Sequence, residues 1–160
     1  MNLFMEKQNI KLAHLPVDLN TAAITGARIK VSSGDRIAVV IQLGDSTAAT
    51  VQYTLRQHNA ASAGTSKDLL SANPYYHKKA ALTAFTKVVP GSAAALKDLS
   101  SVFSDDEGVA VLEILGEELD VDGGYAWFSV DIADSAAAKL GATAYIVSDV
   151  RHSPAYSTDL

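Results

Sequence analysis

The amino-acid sequence predicts a mainly β protein: an antiparallel β-sandwich or barrel with one or two short helices and an extended N-terminal arm. Three observations favour this class. About eight segments alternate in hydrophobicity or are rich in β-branched residues, turn-forming residues separate them, and they do not alternate with long amphipathic helices. At 160 residues the chain is long enough to bury one core. We therefore expect an arm over residues 1–20 and a single β-rich domain over residues 21–160.

The N-terminal third supplies the arm and the first strands. The first twenty residues show neither alternation nor a helical stripe, and Pro16 opposes a long helix. An extended arm, ordered by contacts elsewhere, fits this segment. The segments "RIKVSS", "RIAVVIQLG" and "TVQYTLRQ" then follow one another with short turns between them. Their spacing predicts three strands in an antiparallel meander.

The middle of the chain mixes loops and short strands. Residues 57–74 are small and polar, which predicts a loop, with a helical turn from Ser66 to Leu70 capped by Ser66. "YYHKKA" and "AFTKVVP" predict strands. "GSAAALKDLSSV" fits either a short helix or a loop that leads into a strand.

The C-terminal third predicts three more strands. "VAVLEIL" is one, and "GEELDVDGG" connects it to the alternating strand "YAWFSVDI". We place Trp127 of that strand in the core rather than at an interface. "ADSAAAKLG" can form a helical turn or two that stop at Gly141, and "ATAYIVSDV" is the last strand.

Composition excludes several classes of function. Cysteine is absent, so the chain has no disulfide, no thiolate nucleophile and no cysteine metal site. The N-terminus lacks the apolar run of a signal peptide. The longest strongly apolar run, Ile37 to Ile41, is too short to cross a bilayer. These features predict a soluble protein made in a reducing cytosol, with no membrane partner.

Charge is distributed unevenly along the chain. Residues 1–104 carry eleven Lys/Arg against six Asp/Glu, whereas residues 105–160 carry two against twelve. This asymmetry indicates either a solvated acidic face or an assembly in which acidic surfaces dock on basic ones. No arginine-rich or aromatic-interleaved basic stripe is present, so we expect no nucleic-acid partner.

The acidic connection before the aromatic strand is the first candidate site. Glu118, Asp120, Asp122 and Gly123 match positions 1, 3, 5 and 6 of a calcium loop, but Ser129 stands where the bidentate glutamate is required. Asp-Gly-Gly is also strong turn chemistry, because glycine accepts positive φ and aspartate bonds its own backbone. We therefore interpret the stretch as a turn and assign no metal site.

A second candidate is a serine hydrolase site. Ser46 follows a predicted strand in "GDS", and Asp149 precedes His152 by three residues, as in the first and last blocks of the GDSL hydrolases. A strand rather than a helix follows the serine, and no Gly-x-Asn-Asp block exists for an oxyanion hole. His14, His58 and His77 lack metal-binding spacing and are expected to be exposed or at interfaces. We assign no catalytic, cofactor or metal residues.

The order of four segments resembles a known family. The segment "DLNTAAITGARIKVSSGDRIAVVIQLG", an "LRQ…A…AGTSKDL" segment, an acidic "LDVDGGY" turn with an aromatic strand, and a final "A-x-Y-I-x-S-D-x-R" strand occur in this order from about Asp18 to Arg151. They are similar to those of tailed-bacteriophage capsid cement or decoration proteins, a family of head-associated virion structural proteins. His152 stands where that family's pattern leads us to expect an aromatic residue.

The resemblance implies a mechanical function. Such a protein binds the outer surface of the assembled shell, typically as a homotrimer, and stabilises contacts between major capsid protein subunits. It implies the virion as the location, after assembly in the host cytoplasm, and no enzyme activity or cofactor. A tail or head–tail connector protein is the alternative within the structural class. Outside it, the alternatives are a small GDSL-like hydrolase and a soluble carbohydrate- or metal-binding β-sandwich.

Overall fold

The computed structural model describes residues 8–148, and this part of the chain is mainly β. Its strands form two antiparallel sheets in a sandwich-like arrangement, so the expected fold class is confirmed. One short helix, α1 (Ser100–Phe103), and one 3-10 turn (Gly116–Glu118) interrupt them. The strands are β1 (Gln8–Asp18), β2 (Ile24–Thr25), β3 (Ile29–Lys30), β4 (Arg36–Leu43), β5 (Gln52–His58), β6 (Ser66–Asp68), β7 (Tyr75–Lys79), β8 (Thr86–Val88), β9 (Leu96–Asp98), β10 (Gly108–Leu115), β11 (Trp127–Ile132) and β12 (Leu140–Ser148).

Sheet A contains six strands in the order β1-β12-β4-β10-β7-β8. β4 lies near its centre and pairs along its whole length with β12 on one side and β10 on the other. Alternate residues of β4 are buried or partly exposed, as expected for a strand with one face on the core. The long apolar run of β4 therefore forms the spine of this sheet.

Sheet B has the order β2-β11-β5-β6, with two further short strands at its edges. β11 pairs with β5 on one side and with both β2 and β3 on the other. β5 pairs with both β6 and β9 on its outer side. Each edge of sheet B is thus built from two strands of two or three residues.

The core lies between the two sheets. It is formed by the inward-facing residues of the long strands, which are almost fully buried: Ile37, Val39 and Ile41 of β4, Tyr53 and Leu55 of β5, Leu112 of β10, Phe128 and Val130 of β11, and Tyr145 of β12. Burying one such large apolar side chain contributes about 1.5–3 kcal/mol relative to leaving it in water. The Tyr145 hydroxyl also joins the sheets, since it accepts a hydrogen bond from the Val130 amide at 3.0 Å.

The expected three-stranded meander is wrong. β4 belongs to sheet A, whereas β5 belongs to sheet B, so these consecutive strands lie in different layers. The sequence between them, "GDSTAATV", is long enough to cross from one sheet to the other. Both strands need apolar partners on their inner faces, and facing each other across the core satisfies both.

Several local predictions are corrected. Ser66 to Leu70 contains strand β6 and no helical turn, because residues 66–68 pair with β5. Residues 133–139 contain no helix either, and Ala136 has a positive φ of 57°. Trp127 was expected in the core, but it points outward from β11 and is half-buried. Its neighbour Phe128 lies in the core instead. More strands occur within residues 8–148 than the expected eight, since five contain only two or three residues.

Residues 8–18 of the expected N-terminal arm form β1. The segment is extended, and its pairing partner is β12 of the same chain, from Gln8 opposite Ser148 to Asp18 opposite Leu140. The pairing register shifts on both sides of His14. β1 is therefore an edge strand of sheet A. Residues 1–7 lie outside the described part of the chain.

Candidate functional site

The acidic connection between β10 and β11 is held together by its own carboxylates. Asp120 accepts a hydrogen bond from the Gly123 amide at 3.0 Å and forms an ion pair with Lys67. The hydrogen bond from Lys67, followed by that from Gly123, lowers the pKa of Asp120. Glu118 accepts hydrogen bonds from the Leu115 amide at 2.9 Å and from Asn73 at 2.8 Å. The expected turn chemistry is confirmed.

Ser129 does not belong to this connection. It lies within β11 and is fully buried, so it cannot complete a loop that coordinates calcium. Within residues 8–148 no group of three or more His, Asp or Glu side chains is arranged to hold a metal ion. The carboxylates of the connection instead bind backbone amides and a lysine, and they position Lys67 with its Nζ 4.1 Å from the Tyr125 ring centroid.

Ser46 lies at the end of sheet A and is bound to a buried lysine. Its Oγ donates to the Ser104 carbonyl at 2.6 Å and accepts from Lys139 Nζ at 2.8 Å. Lys139, only 1% exposed, also donates to the carbonyls of Gly44 at 2.9 Å and Asp106 at 3.2 Å. With three acceptors, the amine acts as a clamp between loops. This leaves Ser46 no free base to activate it.

The other residues of the proposed hydrolase triad, Asp149 and His152, lie outside the described residues. β12 begins beside Ser46 and ends at Ser148. Its nine residues span about 26 Å, so the last described residue lies at the opposite end of the strand from Ser46.

Two shallow, open depressions adjoin this end of sheet A. One has a volume of about 290 Å³ and is lined by Asp45, Lys79, Ala80, Ala81, Asp106 and Glu107. The other has about 370 Å³ and is lined by Gln42, Leu43, Lys78, Ala80, Glu107, Gly108 and Val109. In the first, Lys79 and Asp106 form an ion pair with each other. Neither depression contains a nucleophile next to a base.

A polar network that the sequence did not suggest lies on the outer face of sheet B. His58 Nε2 and Ser129 Oγ are 2.8 Å apart, and Ser129 Oγ donates to Asp131 at 3.4 Å. Arg56 then bridges Asp131 and Asp68. Alternation in the sequence predicts that these residues share one face of their own strand. The pairing of β5 with β11 then brings the two strands' residues together.

The His58–Ser129 pair is unsuited to catalysis. His58 is 2% exposed and Ser129 is fully buried, so no substrate reaches them. The carboxylate contacts the serine rather than the second imidazole nitrogen, the reverse of a catalytic triad. Burial lowers the pKa of His58, and the positive charge of Arg28 adds to this effect. The network therefore stabilises sheet B, with His58 in its neutral form.

The histidines differ from the expectation that all are exposed or at interfaces. His58 is buried, so that prediction is wrong for it. His14 is half-buried, with Nε2 2.9 Å from Thr143 Oγ1. His77 is half-buried too, with its ring 6.1 Å from the Phe103 ring in an edge-to-face arrangement.

The acidic part of the sequence does not form one face. Asp105, Asp106 and Glu107 precede β10, and the connection at residues 116–124 follows it. Because β10 runs the length of sheet A, these two groups lie at opposite ends of the sandwich. Asp106, Asp120 and Asp131 form ion pairs with Lys79, Lys67 and Arg56. Part of the charge is thus neutralised within the chain.

The outer face of sheet A carries a row of apolar side chains. Leu12, Ala144, Val40, Val111 and Tyr76 lie directly opposite one another on five neighbouring strands. We call these five residues the outer row. Leu12 is exposed and the other four are half-buried. Cross-strand neighbours of this kind form a continuous apolar surface, which is a feature of protein docking faces.

Comparisons with known proteins give little. No family model matches the chain, and no curated protein matches it significantly. A solved structure that resembles it is the crystal structure of the SPBc2 prophage-derived protein YomS. The two are 11% identical, over 88% of this chain and 93% of that one, with a TM-score of 0.37. A likeness of this strength establishes neither a shared fold nor a shared function. Within residues 8–148, no helix is long and apolar enough to span a membrane.

Proposed function

We propose that this chain is a structural protein of a tailed-bacteriophage head: a capsid cement or decoration protein on the outer surface of the virion. It binds the assembled shell, as a homotrimer, and stabilises contacts between major capsid protein subunits. The order of segments from about Asp18 to Arg151, described above, supports the family, and the β-rich fold is compatible with it.

The outer row is the observation that carries the proposal. It places apolar side chains across five strands on the outer face of sheet A, with Leu12 exposed and the other four half-buried. Contiguous apolar patches on a protein surface mark protein contact sites. We assign this face to the contact with the major capsid protein.

The mechanism is binding linkage rather than chemistry. A protein that binds the assembled lattice but not the free subunits stabilises the lattice by about RT ln(1 + [L]/Kd) for each site. The polar clusters of the chain support a structural role, because their hydrogen bonds are used internally. Lys139 binds acceptors in two loops, and His58 and Ser129 bind each other within sheet B.

The test is binding to purified capsids that lack this chain. We expect the wild-type protein to sediment with mature heads and Val40→Lys to remain in the supernatant, since a charge in the outer row must be desolvated on docking. Thr83→Lys, in the exposed β7–β8 turn, is the matched control and should bind as the wild type does. Failure of the wild-type protein to bind heads contradicts the proposal.

The copy number per virion separates a shell protein from the alternative. Hundreds of copies indicate the capsid surface, whereas about a dozen or fewer indicate a tail or head–tail connector component, as expected from the symmetry of those assemblies. Quantitative mass spectrometry of purified virions measures it.

A further inference from the structure

The outer face of sheet A changes in character from one edge of the sheet to the other. Strand pairing continues the outer row beyond Tyr76, because Lys87 of β8 lies directly opposite that residue. Residues that oppose each other on paired strands point to the same face of a sheet, so Lys87 shares the face of the outer row. The row therefore runs from Leu12 at the β1 edge to a lysine at the β8 edge.

A second row on the same face also ends in a lysine. It contains four residues that lie opposite one another on β12, β4, β10 and β7: Ala142, Gln42, Val109 and Lys78. Each of them is two positions away from a member of the outer row, and alternation along a strand places such residues on one face. Both rows thus end in positive charge on the side of β7 and β8, where Lys78 and Lys87 form what we call the basic border.

The opposite border of this face, on β1, is aliphatic. Ile10 and Leu12 are 45% and 51% exposed, and as alternate residues of β1 they point to the same face. Lys11 lies between them and points to the other side, where its Nζ donates to the Arg28 carbonyl at 3.3 Å. We call Ile10 and Leu12 the aliphatic border.

The lysines of the basic border have no carboxylate partner within residues 8–148. Neither Lys78 nor Lys87 forms an ion pair there, whereas Lys79 points to the other face and pairs with Asp106. Glu107 lines a depression together with Lys78 but does not pair with it. Lys87 is exposed and Lys78 is half-buried, so both are available to a partner.

We propose that the surface of the major capsid protein that docks on this face is apolar opposite β1, β12 and β4 and carries carboxylates opposite β7 and β8. The carboxylates pair with the basic border, while burial of the aliphatic border and the outer row contributes most of the affinity. The unlike borders give the contact one orientation, because the reversed arrangement would bury carboxylates against aliphatic side chains and leave the lysines unpaired.

A protein fits this face better than a membrane does. The middle of the face consists of half-buried side chains, such as Val40, Val111 and Ala144, which do not protrude far enough to insert among lipid chains. The inference rests on the proposed function and specifies the chemistry of the partner at the same face.

The experiment measures affinity for purified heads that lack this chain over a series of salt concentrations. We expect wild-type binding to weaken as salt is raised, because exposed charge contacts are screened. Lys87→Glu should lower the affinity about tenfold at low salt, mainly through slower association, and should reduce the salt dependence. Lys30→Glu is the matched control, since Lys30 is also an exposed lysine on a short strand but belongs to sheet B. It changes the net charge equally and should bind as the wild type does.

Three results overturn this inference and leave the proposed function standing: head binding that does not respond to salt, Lys87→Glu binding that equals the wild type, or an equal loss in Lys30→Glu. A wild type that does not bind heads contradicts the proposed function and this inference together. Sedimentation with vesicles that contain phosphatidylglycerol, lost in Lys87→Glu, would assign the basic border to lipid and overturn the inference as well. Circular dichroism of each variant confirms that the fold is retained.

Discussion

Lys139 brings a primary amine into the interior at the end of sheet A. Its Nζ donates to Ser46 Oγ and to the carbonyls of Gly44 and Asp106. Burial lowers the pKa of this amine, while the negative charge of Asp45 opposes that effect. Three acceptors from two loops thus share a single donor, and removing it takes this hydrogen bond from the Gly44 and Asp106 carbonyls and from Ser46 Oγ.

We expect Lys139→Met to destabilise the fold by about 2–3 kcal/mol, the cost of leaving buried acceptors unsatisfied. Methionine keeps much of the lysine volume, so the loss reports hydrogen bonds more than packing. Urea unfolding measures it, with Lys87→Met on β8 as an exposed control that should stay within about 0.5 kcal/mol of the wild type. Equal stability of the two variants would contradict the clamp.

His58 makes stability depend on pH. Its pKa is lowered in the fold, chiefly by burial, so between that pKa and about 6.5 the unfolded chain binds more protons than the native one. The contribution of neutral His58 to the free energy of unfolding is therefore fully present above about pH 6.5 and decreases as the pH falls below it. His14 and His77 act in the same direction, because burial lowers their pKa as well.

We expect urea midpoints to fall between pH 7.5 and pH 5.5, a window above the usual titration range of carboxylates. His58→Gln should lose part of this fall while remaining folded at pH 7.5. The measurement is the midpoint difference between the two pH values in each protein. The same difference in wild type and variant would show that His58 stays neutral across the window or titrates without effect.

Of the two residues in the Ser46–Lys139 contact at the end of sheet A, only Ser46 could be identified from the sequence. Ser46 stands out because it follows a strand in a short motif. Its partner Lys139 is 93 residues away and meets it only because β4 and β12 are neighbours. Pairing of distant strands leaves no local signal, so Lys139 could not be identified from its surroundings in the chain.

Strands were predicted best where they are long. β4, β10 and β12 are eight or nine residues long and rich in apolar residues, and their burial alternates along the strand. β2 and β3 contain two residues each, too few for any period to be visible. The pairing partners of the strands were harder to predict. β4 and β5 follow each other in the chain but lie in different sheets, because each buries its apolar face against the other across the core.

The turn before β11 depends on one glycine. Gly124 has a φ of +88°, a conformation that side chains with a Cβ rarely adopt, and no atom lies near enough for an added Cβ to collide with it. We expect Gly124→Ala to cost about 1–2 kcal/mol from backbone strain alone. Thermal unfolding of Gly124→Ala against Gly91→Ala measures it, because Gly91 has similar open space without a positive φ. Two equal melting temperatures would refute this cause.

At the scale of the whole molecule, Tyr145 connects the two sheets. It extends from β12 of sheet A, accepts a hydrogen bond from the Val130 amide of sheet B, and packs edge to face on Phe128 at 5.7 Å. Burial raises its pKa, so the hydroxyl stays protonated through the range in which the protein is folded.

Tyr145→Phe leaves the packing and removes the acceptor of a buried amide. We expect a loss of about 1–3 kcal/mol in the free energy of unfolding, the cost of an unsatisfied buried donor. Tyr125→Phe is the matched control, because the Tyr125 hydroxyl forms an exposed hydrogen bond, with Thr65 at 3.2 Å. Guanidinium unfolding should place Tyr125→Phe near the wild type; a Tyr145→Phe protein equally near would contradict the cross-sheet bond.

The order of strands in sheet A has a consequence for how the protein is made. β1 pairs only with β12, so Gln8 finds its place opposite Ser148, a residue synthesised 140 positions later. At 5–20 residues per second, the N-terminal strand waits on the order of 10 s for its partner. Sheet A gains this edge only after β12 has left the ribosome, so completion of the sandwich waits for the synthesis of residues 19–148. Folding dominated by such distant pairings is slow, and the apolar side chains of β1 remain uncovered throughout that interval.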